Sequence, residues 1–212
     1  MKNKTEIAKQ RIVKLLLVLT LSFLALAGGA FTERAFAQGA LAVLTYSMAL
    51  PTGDLADYTD EFSYRGFSFD YRFFVRDQLS VGFGLGWQNF SEKESGTFNQ
   101  GTITATGTQV RYATGYPFMA TGYLYTGESG GLRLYGGLQA GLYYVVKRFD
   151  FGIYSFYEDF FQFGLIPEAG VLVPISVLNV IANVRYHYAF ATSDADVFSH
   201  WSFNIGLAFG GH

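Results

Sequence analysis

Between Ser63 and Phe90, bulky apolar side chains fall on every second position. Phe67, Phe69, Tyr71, Phe73 and Val75 alternate with Gly66, Ser68, Asp70, Arg72 and Phe74. After the polar turn Arg76-Asp77-Gln78 the period resumes as Leu79, Val81, Phe83, Leu85 and Trp87 against Ser80, Gly82, Gly84, Gly86 and Gln88. A period of two belongs to strands, and a three-residue connection predicts an antiparallel hairpin. One face is apolar for about ten residues, the length with which a tilted strand crosses a bilayer. The other face carries glycine, serine and opposed charges. A soluble sandwich turns its large side chains inward. Here the small and charged set fills a narrow tube, so the pattern predicts a transmembrane β-barrel.

The same alternation recurs along the chain. A first strand runs from Leu41 to Leu50 and is stopped by Pro51-Thr52-Gly53. Asp54 to Glu61 reads as an acidic loop, Ser91 to Gly101 as a second long loop and Lys147 to Phe160 as a third, aromatic-rich one. Thr102 to Tyr125 is the least regular strand segment, and Gly115-Tyr116-Pro117 predicts a bend or bulge, because proline donates nothing to a ladder. A turn at Gly127-Glu128-Ser129-Gly130-Gly131 leads to strand five, with Leu132, Leu134, Leu138 and Leu142 outward and Arg133, Tyr135, Gln139 and Tyr143 inward. Strand six sets Phe161, Phe163 and Leu165 against Gln162, Gly164 and Glu168. A turn at Pro174-Ile175-Ser176-Val177 follows. Strand seven opposes Val184, Tyr186 and Tyr188 to Asn183, Arg185 and His187. After the short loop Ala191 to Val197, strand eight opposes Trp201, Phe203, Ile205, Leu207 and Phe209 to His200, Ser202, Asn204 and Gly206. The expected fold is all-β, an eight-stranded antiparallel up-and-down transmembrane β-barrel. Its connections alternate long and short, which places both termini on the periplasmic side of a cell outer membrane.

The first residues change the count of what folds. Lys2, Lys4, Lys9, Arg11 and Lys14 precede the apolar run Leu15 to Ala27, and Ala35-Phe36-Ala37 offers a cleavage site, with Ala25-Leu26-Ala27 as a rival. That is the layout of a cleavable signal peptide, so 1–37 is expected to be a signal and 38–212 the barrel domain. Taking Lys2, Lys4, Lys9, Arg11, Lys14 and Arg34, with Glu6 and Glu33, from 15 Lys+Arg and 17 Asp+Glu leaves nine basic against fifteen acidic residues. No basic face for nucleic acid exists. With no cysteine, disulfides and thiolate chemistry are excluded.

An eight-stranded barrel has an interior just wide enough for side chains. Asp70, Arg72, Arg111, Arg133, Glu168 and Arg185 are therefore expected to meet as a lumenal network, since buried charges persist only when paired. Tyr154, Phe156, Tyr157, Phe160, Trp87 and Trp201, with Phe149, Phe151 and Phe161 around the third loop, suit an aromatic girdle or a loop surface.

The segments Tyr46 to Leu55 (YSMALPTGDL), Arg133 to Val145 (RLYGGLQAGLYYV), Val184 to Phe190 (VRYHYAF) and Ser202 to Phe209 (SFNIGLAF) resemble those of the small outer-membrane barrels, the outer-membrane protein A barrel and the X and W families. The resemblance covers the whole expected mature chain and, for outer-membrane protein A, its barrel alone. It implies an integral outer-membrane protein that meets membrane lipids and lipopolysaccharide. The alternating aromatics of the last strand resemble the signal read by the barrel-insertion machinery. The leading function it supports is non-enzymatic, a structural or surface-interaction role with the lumen plugged by side chains. The alternative is passage of small hydrophobic molecules, as in outer-membrane protein W, and a lipid A-modifying enzyme comes third.

Candidate chemistry is sparse. Arg185-Tyr186-His187-Tyr188 resembles the neighbourhood of a lipid A deacylase histidine, but the serine that enzyme needs two residues on is Ala189 here. His200 and Ser202 share a face, with Asp194 and Asp196 near in sequence, the parts of a base, nucleophile and orienter. As an inert alternative they line the upper lumen. Asp54, Asp57, Asp60, Glu61, Asp194 and Asp196 supply oxygen ligands of the kind Ca²⁺ or Mg²⁺ takes, or are solvated loop carboxylates. No catalytic residue, metal ligand set or cofactor is assigned.

Overall fold

The computed structural model describes residues 39–210 apart from 101–102, 129, 152–153 and 176–177. The side chains of 95–108 and 151–154 also fall outside that description. The signal peptide expected over 1–37, with its cleavage site, lies outside the described residues.

Eight strands follow one another around a closed barrel, each antiparallel to its neighbours: β1 (Ala40–Thr52), β2 (Arg65–Arg76), β3 (Leu79–Gln100), β4 (Ile103–Tyr125), β5 (Arg133–Phe151), β6 (Tyr154–Ile175), β7 (Leu178–Ala189) and β8 (Phe198–Gly210). The last strand pairs with the first from Leu41 opposite Gly210 to Thr52 opposite Ser199. Closure removes the sheet edges, which lets a β-structure sit in hydrocarbon with its backbone paired. Burial follows the pleat. On β1, Leu41, Val43, Thr45, Ser47 and Ala49 are buried while Leu44, Tyr46 and Leu50 are exposed.

The four central strands run well past the others, at 22, 23, 19 and 22 residues against 12 or 13. A bilayer takes about ten residues of a tilted strand, so β3–β6 continue beyond the loop end as a paired four-stranded arm. Ser91–Gly101 and Lys147–Phe160, expected as loops, are strand wherever they are described. Their charges sit opposite partners, Glu92 across from Arg111 and Lys147 across from Glu158, so a solvated polar run forms ladder instead of loop. At the other end the turn from β2 to β3 is tight. A register shift between Phe74 and Arg76 lets Arg76 pair with Leu79, leaving Asp77-Gln78 as the turn.

The bend or bulge expected at Gly115-Tyr116-Pro117 is absent. Leu85 opposite Phe118 and Gln88 opposite Gly115 belong to one register, with the two rungs between them missing. Proline lacks the N–H that would make the rung. Pro167 does the same between β6 and β7, where Leu165–Tyr188 and Glu168–Arg185 flank two missing rungs.

The acidic connection from β1 to β2 was expected as a loop, but it contains a one-turn helix, α1 (Asp54–Tyr58). Leu55 is buried among Phe90, Tyr143, Val145 and Phe198. The Val197 N–H donates to Asp54 Oδ2 at 3.1 Å, and the Tyr58 hydroxyl donates to the Arg148 carbonyl at 3.2 Å. α1 thus corks the loop end of the tube.

Candidate functional site

Halfway along the lumen, charges from β2, β6 and β7 meet across the bore. Arg72 Nη2 lies 3.2 Å from Asp70 Oδ2 and 3.1 Å from Glu168 Oε1. Arg185 Nη2 lies 2.6 Å from Asp70 Oδ2, and its Nε stands 2.9 Å from Glu168 Oε2 as an ion pair not aimed for a hydrogen bond. All four residues are buried, and two cations balance two anions. Strand alternation supplies the remaining partners. Tyr135, Tyr123 and Gln139 donate to the Glu168 carboxylate at 2.7, 2.8 and 2.7 Å. Arg72 donates to Tyr125 at 3.0 Å and its guanidinium lies 3.7 Å from the Tyr123 ring centre. Arg185 donates to Ser68 at 2.9 Å. Gly84 makes room, since a Cβ there would stand 2.7 Å from Asp70 Oδ1.

Arg133 and Arg111, expected in the same network, are elsewhere. Arg133 is buried at the turn end, where it donates to the Asp77 carbonyl and covers the Tyr125 ring at 4.7 Å. Arg111 belongs to the arm, 3.9 Å from Glu94. Both face inward as alternation requires; their height along the axis separates them from the other four.

The aromatic set also divides. Trp87 and Trp201 face outward, the first beside Phe67 at 5.8 Å and the second beside Tyr186 at 4.8 Å. Tyr116, Tyr144 and Phe161 continue that belt with ring centres 5.9 and 4.9 Å apart. Phe156 and Tyr157 are exposed on the arm. Phe160 turns inward and packs on the lumenal cluster under α1, because it shares parity with Gln162. The side chain of Tyr154 lies outside the described residues. On the arm, the Arg148 guanidinium holds the Asp150 carboxyl below its ordinary range by hydrogen bonding.

Above the charges lies a histidine layer. His187 and His200 sit directly opposite each other on β7 and β8, ring centres 4.1 Å apart and planes within 15°. His187 Nδ1 bonds the Tyr143 hydroxyl and its Nε2 lies 2.9 Å from Ser202 Oγ. Sequence had paired Ser202 with His200. Residues i and i+2 on one strand stand about 6.7 Å apart, so Ser202 reaches across the ladder to His187 instead. Nucleophile, base and orienter are thus within reach of one another, but all three are buried. The cavity beside Ser47, Gln88, His187 and Ser202 offers about 20 Å³ to the centre of a water molecule. That holds water, not an acyl substrate. Asp54 is committed to its backbone bond, and among the described residues no group of three His, Cys, Asp or Glu is placed to hold a metal. Alternation marked Tyr135, Gln139 and Tyr143 as inward, but their joint grip with Tyr123 on the ions and on His187 depends on barrel geometry.

No family model and no curated protein matches the chain. Among solved structures, the attachment invasion locus protein Ail of Yersinia pestis superposes with a TM-score of 0.50 at 16% identity, over 82% of this chain and 98% of that one. Neisserial surface protein A superposes at 0.49 and 12% identity, over 82% and 96%. The N-terminal β-barrel domain of Pseudomonas aeruginosa OprF gives 0.47 and 11%, over 82% and 97%. What the chain shares with Ail is the fold, a small closed eight-stranded outer-membrane barrel.

Proposed function

We propose that this chain is a non-enzymatic integral protein of a bacterial outer membrane, with both termini periplasmic, which holds its arm outside the cell as a surface for partners. The carrying observation is the pairing of a shut bore with an exposed extension. Four buried ions, their tyrosine partners and α1 fill the tube, while β3–β6 continue past it with Phe156 and Tyr157 exposed. Large exposed apolar groups above a membrane belt favour contact with another molecule. The belt through Trp87, Tyr116, Tyr144, Phe161 and Trp201 suits the lipid and lipopolysaccharide boundary. The alternating aromatics of β8 suit recognition by the barrel-insertion machinery. Passage of hydrophobic solutes has little support from a lumen whose cavity beside Ser47, Gln88, His187 and Ser202 admits only water.

The test compares cells displaying the whole chain with cells displaying a barrel whose arm is cut back to Ala113 and Val145. Attachment to a second cell or envelope surface should fall about tenfold, a loss of ~1.4 kcal/mol, while the trimmed barrel still resists unfolding in detergent. Equal attachment by both removes the surface role.

A further inference from the structure

We propose that the His187–His200 stack is an acid-operated latch, which shuts the lumen at neutral pH and opens it to water and small ions when protonated. The inference rests on the closed-lumen reading above. Imidazole is the side chain that ordinarily gains a positive charge between about pH 8 and pH 5. Here two of them lie face to face at 4.1 Å, with His200 at 1% exposure and His187 at 7%.

The surroundings offer a new positive charge nothing to pair with. From β5 the facing titratable group is Tyr143, and from β7 itself the Arg185 cation. Around the stack and its cavity, β1 presents Ser47, β3 Gln88 and Phe90, β4 Met119, β6 Ile166 and β8 Ser202 and Phe198. Among the described residues no carboxylate bonds to either ring; Asp70 and Glu168 are both held by Arg72 and Arg185. A proton added to the closed stack therefore meets another imidazole and an arginine. Lowering pH favours the state that binds more protons, and that is a state in which the rings have parted and taken up water.

Two further observations point to the same layer. Among the described residues neither ring nitrogen of His200 has a hydrogen-bond partner, and the ring lies between Phe90 and Phe198 at 5.1 and 5.4 Å. A phenyl group would fill that space without unmet polar atoms, so the structure keeps a titratable ring where packing alone asks for an apolar one. Two seams of the wall also lose rungs here. The rungs missing at Pro167 lie beside His187, those missing at Pro117 lie beside Gln88, and Pro117, Gln88 and His187 all line the water-sized cavity. Opening at this height breaks fewer ladder bonds than parting an unbroken seam.

The full barrel, refolded into planar bilayers, is compared at about pH 7.5 and about pH 5. The wild type should be silent at the higher pH, and its open probability should rise about tenfold or more at the lower. His200→Phe should stay closed at both, its heat-resistant mobility on gels showing that it folds. If that variant fails to fold, His187→Gln in the same assay should likewise lose the acid response. A wild type silent at both pH values, or an acid response that survives His200→Phe, overturns the latch and leaves the closed lumen standing. Equal conductance at both pH values overturns the closed lumen itself.

Discussion

Glu168 accepts from Tyr123, Tyr135, Gln139 and Arg72 and pairs with the Arg185 charge while buried, so its negative charge holds the centre of the bore. Removing one member of such a set leaves an uncompensated buried charge, which costs about 3–5 kcal/mol, whereas removing charges together is close to neutral. Glu168→Leu should therefore lower the unfolding free energy in detergent by about 3–5 kcal/mol. Replacing Asp70, Arg72, Glu168 and Arg185 together by neutral residues of similar size should cost less than about 1 kcal/mol. A neutral Glu168→Leu would mean the ions do not depend on one another. At His200 the sign reverses: His200→Phe removes two unpartnered nitrogens and should raise stability by about 1 kcal/mol in the same unfolding measurement. Which side chains face the bore was legible in the sequence, because parity along a strand is local. Which of them touch was not. Arg133 and Arg111 share the parity of Arg72 yet sit at the turn end and on the arm, since height depends on strand tilt and stagger.

The strands themselves were legible wherever one face was continuously apolar. Where lipid no longer surrounds the chain that signal disappears, so the arm half of β3 read as a polar loop and that of β6 as part of an aromatic-rich one, although their backbones pair. Helix α1 was missed for another reason. Asp54-Leu55-Ala56-Asp57-Tyr58 is too short to show a helical period, and its one buried residue, Leu55, gains its place only from the barrel mouth beneath it. The two regimes predict different tolerance. Phe83→Arg on the hydrocarbon face of β3 should cost about 2–4 kcal/mol, while Phe156→Arg on the arm should cost less than about 0.5 kcal/mol, both read from urea titrations of refolded protein. Amide exchange should run faster along Glu92–Glu94 than along Val81–Leu85, because the arm is paired but not packed. Equal protection would mean the arm is covered.

At the scale of the whole molecule exposure decides the arrangement: bulky side chains turn to hydrocarbon, small and ionic ones to the axis, and α1 corks the loop end of the tube. The fold comes from closure of the backbone ladder, and the shut bore from side chains that fit an eight-stranded interior. The chain contains two tryptophans, Trp87 and Trp201, and both lie on the outward belt. Their fluorescence in vesicles is the most direct test. Lipids brominated on the acyl chain near the headgroup should quench both tryptophans strongly, and a water-borne quencher should reach them weakly. Tryptophans untouched by lipid bromine and freely quenched from water would contradict the account.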